Sequence, residues 1–449
     1  MMELVLSCGY ILCFLLLHIQ TTLAQEGFVS IDCCSSSNAT TNEPNTKICW
    51  ISDNDLFGND KGKCKSINYY ENARIFENEF GNKWCYNLTT TKGRDYLIRG
   101  TFLHGHILRS SNDTFFNISI DATSIAQVDS SIDPVEVESV FRATKQYIDF
   151  CLVRGKGNAY ISKLELRPLI DDLVYLSSDP SRVLKVVNRV DLGNKHGVIR
   201  YPTDRNDRIW KVDKAQKHGT PISSNVKVRN NAKTSIPLQV LQTALTDDKR
   251  LQFGFDNIDT GDNEYMIALY FLELDDSVSI GQRVFDIYIN GILGGEAGSN
   301  YREIVLSFTA NQFLNVNLIK VADGSEFGPI CNAYEVLQLH SWVQGTLQED
   351  VDAITEVKNE LVSQNPKNEL WESWIGDPCL PLPWKGLFCI PNNQGSFIIT
   401  NLDLSWTNLQ RSLPSTVTKL INLERLDVSH NELVGSIPDS FSSMPHLTR

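Results

Sequence analysis

The side chains best equipped for chemistry in this sequence are its cysteines. There are 11 in 449 residues. Cys8 and Cys13 lie in an apolar leader, and Cys33, Cys34, Cys49, Cys64, Cys85 and Cys151 crowd one region. Cys331 stands far from the rest, and Cys379 and Cys389 frame a proline-rich stretch. No C-x-x-C pair occurs, so a zinc reading has no spacing to rest on and no metal is expected. Oxidation to disulfides is the chemistry that remains, and it needs an extracellular fold. The local pair Cys379 with Cys389 is expected to close one bridge. The six clustered cysteines leave their pairing open, and Cys331 is the expected leftover thiol.

Catalytic groups are harder to find. His104-Gly-His106 could place two imidazoles on one face of a strand, but two surface or packing histidines are the simpler reading. Gly155-Lys-Gly157 and Gly294-Gly-Glu-Ala-Gly298 are too short to cradle phosphates and read as turns. With 54 acids against 41 bases, chance pairs of carboxylates are guaranteed and none is marked out as a glycosidase pair. The net charge of −13 argues against nucleic acid and against anionic membrane surfaces as partners. Kinase signatures are absent, and no cofactor is implied.

The elements that must carry these residues follow from periodicity. Residues 1–24 read as a signal peptide: Leu4 to Leu17 is mostly apolar, and Thr22-Leu23-Ala24 offers a cleavage site. No other stretch is apolar enough to span a bilayer. Between Phe28 and Leu339 the chain repeats itself. Tyr96–Leu103 matches Tyr265–Leu272 and Phe116–Ile120 matches Phe285–Ile289, both 169 residues apart. Ile161–Leu166 matches Cys331–Val336 at an offset of 170. Phe285, Ile287 and Ile289 alternate with polar neighbours, and Asn290-Gly291 marks a hairpin. The reading is mainly β: two tandem sandwich lobes, about 28–175 and 185–342.

A helix over 343–366 follows. Thr346-Leu-Gln-Glu349 reads as a capping box, and Val351, Ile354, Val357 and Leu361 share one face. Residues 367–392 hold the Gly376-Asp377-Pro378-Cys379 run and read as a cap for the repeats, joined through a proline-rich hinge. Over 398–449, Leu402–Leu409 returns as Leu426–Leu433 at an offset of 24, the period of leucine-rich repeats. Two repeats are recognisable, fewer than the three or so that usually make a solenoid stable. The expectation is therefore a segment of a longer protein: a truncated gene product, a splice form or an incomplete gene model.

Tyr96-Leu-Ile-Arg-Gly-Thr-Phe-Leu-His-Gly105, Ile161–Leu169, Ile199-Arg-Tyr-Pro-Thr-Asp-Arg-Asn-Asp-Arg-Ile-Trp210 and Phe285–Gly291 resemble signature segments of plant malectin-like domains. Gly376-Asp-Pro-Cys379 ahead of leucine repeats resembles the receptor-like kinases that carry such a domain, in particular their symbiosis-receptor branch. The resemblance implies a ligand- or partner-binding ectodomain exposed in the apoplast, held at the plasma membrane in full-length relatives. It implies carbohydrate, peptide or a co-receptor ectodomain as partner. It also links the Gly-Asp-Pro-Cys region to proteolytic release of the malectin-like part. A secreted decoy and an extracellular carbohydrate-active enzyme are the alternative readings. The ligand-binding candidates are the aromatics Tyr69, Tyr70, Tyr201 and Tyr301, with Trp210 read as structural and the cleft between the lobes as the default site. Sequons at Asn38, Asn87, Asn112 and Asn117 are the candidate glycosylation sites.

Overall fold

A computed structural model describes residues 26–448, apart from 36–40, 58–61, 68–70, 78–80, 104–113, 132–133, 171–178, 214–218, 225–233, 257 and 299–300. The leader, His104 and His106, Tyr69 and Tyr70, and the sequons at Asn38 and Asn112 lie outside the described residues.

The internal duplication becomes a duplicated sandwich. In the first lobe, strands Val29–Asp32, Lys163–Pro168, Asp95–Phe102 and Val135–Arg142 lie side by side in that order. In the second, Arg182–Asp191, Ala333–Ser341, Asn263–Phe271 and Arg302–Ala310 repeat the order. The two sets are not separate sheets. Val135–Arg142 pairs antiparallel with Arg182–Asp191, placing Val140 opposite Leu184. One 11-stranded sheet therefore runs through both lobes. Each lobe adds a four-stranded outer sheet. The first has the order Lys83–Thr89, Tyr147–Lys156, Phe115–Ile120, Thr123–Asp129. The second has the order Arg250–Phe255, Leu314–Lys320, Val284–Ile289, Ile292–Gly298.

Alternation explains what lies between the layers. Phe285, Ile287 and Ile289 are buried against Leu314, Val316 and Leu318, and Tyr265–Leu272 is buried throughout because both faces of that strand are covered. Phe116, Ile118 and Ile120 fill the equivalent place in the first lobe. At the Asn290-Gly291 turn both residues have positive φ, 49° and 83°, as a two-residue hairpin demands.

After Trp342 the helix Gln348–Gln364 buries Ala353, Ile354, Val357 and Leu361, one apolar stripe at helical spacing. Its start differs from the capping box read in the sequence. The N-cap is Leu347 with no side-chain cap. Thr346 is turned instead toward Asp377, which offers a charged acceptor. The helix packs with Trp371, Trp374 and Trp384 and with the leucines of the repeats in a third core. Strands Phe397–Asp403 and Arg425–Asp427 pair in parallel with Leu402 opposite Leu426, and Leu387–Pro391 closes the solenoid edge antiparallel. Asn431 binds the turning backbone as the repeat pattern requires: its Nδ2 donates to Leu404 O at 2.6 Å, and its Oδ1 accepts from Leu409 N at 2.9 Å. Among the described residues, no helix is long and apolar enough to cross a membrane.

Candidate functional site

At the lobe seam, where a ligand cleft was expected, the described residues form a buried ionic cluster. Arg99 projects from a first-lobe strand and binds Glu138 at 2.6 Å, Glu165 at 2.9 Å and the carbonyl of Asp207 at 2.6 Å. Arg189, from the strand shared between the lobes, binds Glu138 and reaches Glu335 at 2.5 Å. Arg167 and Arg200 both bind Glu165 and Asp207. Four guanidiniums thus meet four carboxylates, and the charges cancel. Burial works against Arg99, yet Glu138, Glu165 and Asp207 hold it charged well above the usual arginine value. Glu138 is likewise held below the usual range by Arg189 and Arg99 despite its burial. A balanced, largely buried cluster ties the two lobes together.

Segment Ile199–Trp210 supplies Arg200 and Asp207 to this cluster. Trp210 is fully buried, its Nε1 donates to Asp204 Oδ2 at 2.8 Å, and its ring meets Tyr270 edge-on. Tyr201 is buried too: it packs edge-on against Phe28 at 5.4 Å and joins a small core with Ile48 and Trp50. Its ring presents no face to solvent for a sugar. Tyr301 packs against the second-lobe core, and burial pushes its hydroxyl up to about 12. Tyr201 and Tyr301, the two candidates among the described residues, therefore lie in separate cores. Asn87 is exposed on its strand and donates to Asp149 Oδ1 at 2.7 Å, while Asn117 is half-buried.

The second built site lies at the Gly-Asp-Pro-Cys run. Asp377 accepts from the Thr346 backbone N–H at 2.8 Å and from its hydroxyl at 2.6 Å. It also accepts from the backbone N–H of Cys379 and of Leu380, each at 2.9 Å. Lys83, buried on the outer sheet of the first lobe, donates to the carbonyls of Asp377, Leu380 and Leu382, the last two at 2.8 Å. Burial pulls its ammonium down to about 8, with Asp377 and Asp149 opposing. Gly376 has φ +64°, and a Cβ there would sit 2.6 Å from Cys85 Sγ. The Cys85–Cys151 disulfide is thus the surface against which this glycine packs. Gly345 faces the same constraint, since a Cβ would meet Asp377 Oδ2 at 2.3 Å. The expected hinge is a bolted joint: backbone carbonyls that a loose linker would give to water are taken by a buried ammonium.

Two further bridges, Cys34–Cys64 and Cys379–Cys389, tie the first lobe and the cap. Cys331 is a buried thiol, and so is Cys33, which lies 3.5 Å from the Tyr86 hydroxyl. The neighbouring Cys34 carries φ +62° and turns its sulfur the other way, which adjacency in sequence could not reveal. Among the described residues, no three His, Cys, Asp or Glu side chains converge as a metal site. Among the described residues, two cavities bear on the argument. One of about 550 Å³ lies between the helix C-terminus and Trp406, and one of about 430 Å³ lies beside Asn194 and Thr243 in the second lobe. The sequence reading missed Lys83 and Trp406; a lone lysine in a strand and a tryptophan in a repeat carry no local signal.

A tandem β-sandwich bolted to a leucine-repeat cap defines the class: a module of paired β-lobes followed by leucine repeats. The chain belongs to the malectin-like domain family, whose profile matches residues 31–339, and a leucine-rich repeat profile matches residues 422–444. It is 44% identical to the nodulation receptor kinase of Pisum sativum over 97% of this chain and 47% of that protein. The chain thus spans about half the length of the receptor kinases it matches. Among solved structures, the ANX2 ectodomain from Arabidopsis thaliana shares the fold with a TM-score of 0.59 at 15% identity, covering 70% of this chain and 97% of that one. A complex of the plant peptide RALF23 with FER and LLG2 contains another such fold, with a TM-score of 0.57 at 18% identity, over 70% of this chain and 95% of that one.

Proposed function

We propose that this chain is the extracellular, partner-recognising part of a plant cell-surface receptor of the nodulation-receptor type. The carrying observation is the 44% identity over 97% of the chain to a nodulation receptor kinase, which takes in both the lobes and the repeats. Three disulfides support folding outside the cell. The chain acts by binding, and the phosphotransfer implied by the relatives' names is assigned to the half of their length that this chain does not match. A peptide or co-receptor ectodomain is the favoured partner, because a neighbour of the same fold is found in complex with a peptide and a second protein. Carbohydrate is the second ligand class. The test is the purified chain in pull-downs from plant apoplastic fluid and on a broad glycan array. Saturable binding at micromolar or tighter concentration is expected; its absence from both assays refutes the reading.

A further inference from the structure

The first repeat holds an aromatic side chain that folding does not explain. Trp406 is 72% exposed, and its backbone has φ +58°, a region bulky residues avoid. His430, one repeat on, has φ +54°, and the two rings stack 3.9 Å apart at 13°. The Trp406 N–H donates to Ser429 O at 3.2 Å, so the backbone beneath the ring is pinned. The same turn recurs at His430, so this backbone belongs to the repeat; an exposed indole at that position is what the repeat does not require.

The ring borders the 550 Å³ cavity, a volume in the range of small-molecule sites. The cavity is shaped by the C-terminal end of the helix Gln348–Gln364 and the turn after it. Asn368 fixes that turn by donating to Thr407 O at 2.5 Å. Exposed Lys367 and Lys385 line the cavity against a single carboxylate, Glu369, in a chain of net charge −13. Gln364 Oε1 is shut from water with no hydrogen-bond partner. A flat aromatic beside amides and a local excess of ammonium groups suits a ring with one apolar C–H face and many oxygens.

We infer that the cavity beside Trp406 is an oligosaccharide site: a pyranose face lies on the indole, and its hydroxyl or carboxylate oxygens are taken by Lys367 and Lys385. This rests on the recognition reading above and places one ligand class on the cap, away from the lobes. The test titrates the whole chain, by calorimetry and tryptophan fluorescence, with tetramers of galacturonic acid and of β-linked glucose. Trp406→Asn keeps a residue that tolerates positive φ and removes the ring. Affinity is expected to fall about tenfold or more with unchanged Tm, and to return in Trp406→Tyr. Lys367→Met with Lys385→Met is expected to weaken the acidic tetramer more than the neutral one. If wild type binds and Trp406→Asn binds equally well, this site is overturned while recognition elsewhere on the chain stands. If neither tetramer binds, the inference fails, and the apoplastic pull-down alone decides the broader reading.

Discussion

Replacing Asp377 by asparagine tests the joint with almost no change of shape. The carboxylate accepts four hydrogen bonds through two oxygens, three of them from backbone N–H groups. Asparagine has one acceptor oxygen. If that oxygen takes the Oδ1 place, its amide nitrogen faces the Thr346 N–H at what is now 2.8 Å, donor against donor. If the amide flips, the conflict moves to the N–H groups of Cys379 and Leu380. Either way at least one charge-assisted bond is lost, about 1.5–3 kcal/mol, and at least one partly buried N–H is stranded, about 1 kcal/mol at the low end of that penalty. The sum, roughly 2.5–4 kcal/mol, opens the joint locally before it unfolds the lobes. We expect Asp377→Asn to gain protease cleavage at 343–347 and 376–383 and to lower the Tm of the transition that includes the cap by several degrees. Thr346→Val, which removes only the hydroxyl bond, is expected to move both by a fraction of that. A wild-type cleavage pattern together with a Tm within about 1 °C would refute the claim that Asp377 holds the two modules together.

Other outcomes follow from the same contacts. Gly376→Ala forces a Cβ toward Cys85 Sγ at positive φ, so about 2–4 kcal/mol of destabilisation is expected in denaturant melts; a neutral result would show that the disulfide yields. Arg99→Leu leaves Glu138 and Glu165 short of a partner in the seam, and a loss of about 3–5 kcal/mol or failure to fold is expected. Asp191 supplies a pH signature. Burial raises its carboxyl to about 7 against Thr243 and Asn194, which favour the ion. A folded-state value above the unfolded one means that the folded chain holds the proton more tightly between pH 4 and pH 7. The stabilisation is therefore present at acid pH and lost as pH rises through 7, about 2 kcal/mol between pH 5 and pH 7.5. Asp191→Asn should flatten that slope in melts run across pH; an unchanged slope assigns it elsewhere.

Much of the fold was legible in the sequence because it depends on local pattern. Alternation at Phe285, Ile287 and Ile289 marks a half-buried strand, Asn290-Gly291 marks its hairpin, and the 24-residue echo from Leu402 to Leu426 marks the solenoid. The 169-residue offset marked two lobes, and the same strand order in both agrees with it. What tertiary structure alone decided is how distant groups neutralise one another. Arg99 and Asp207 are 108 residues apart and Lys83 and Asp377 are 294 apart, and only the shared sheet and the docked cap bring them together. The same long-range packing buries Tyr201 and Trp210, leaves Trp406 in the open and turns Thr346 from a helix cap into a partner of Asp377. Such pairings have no periodicity, because burial of a charge is settled by whatever the rest of the chain lays against it.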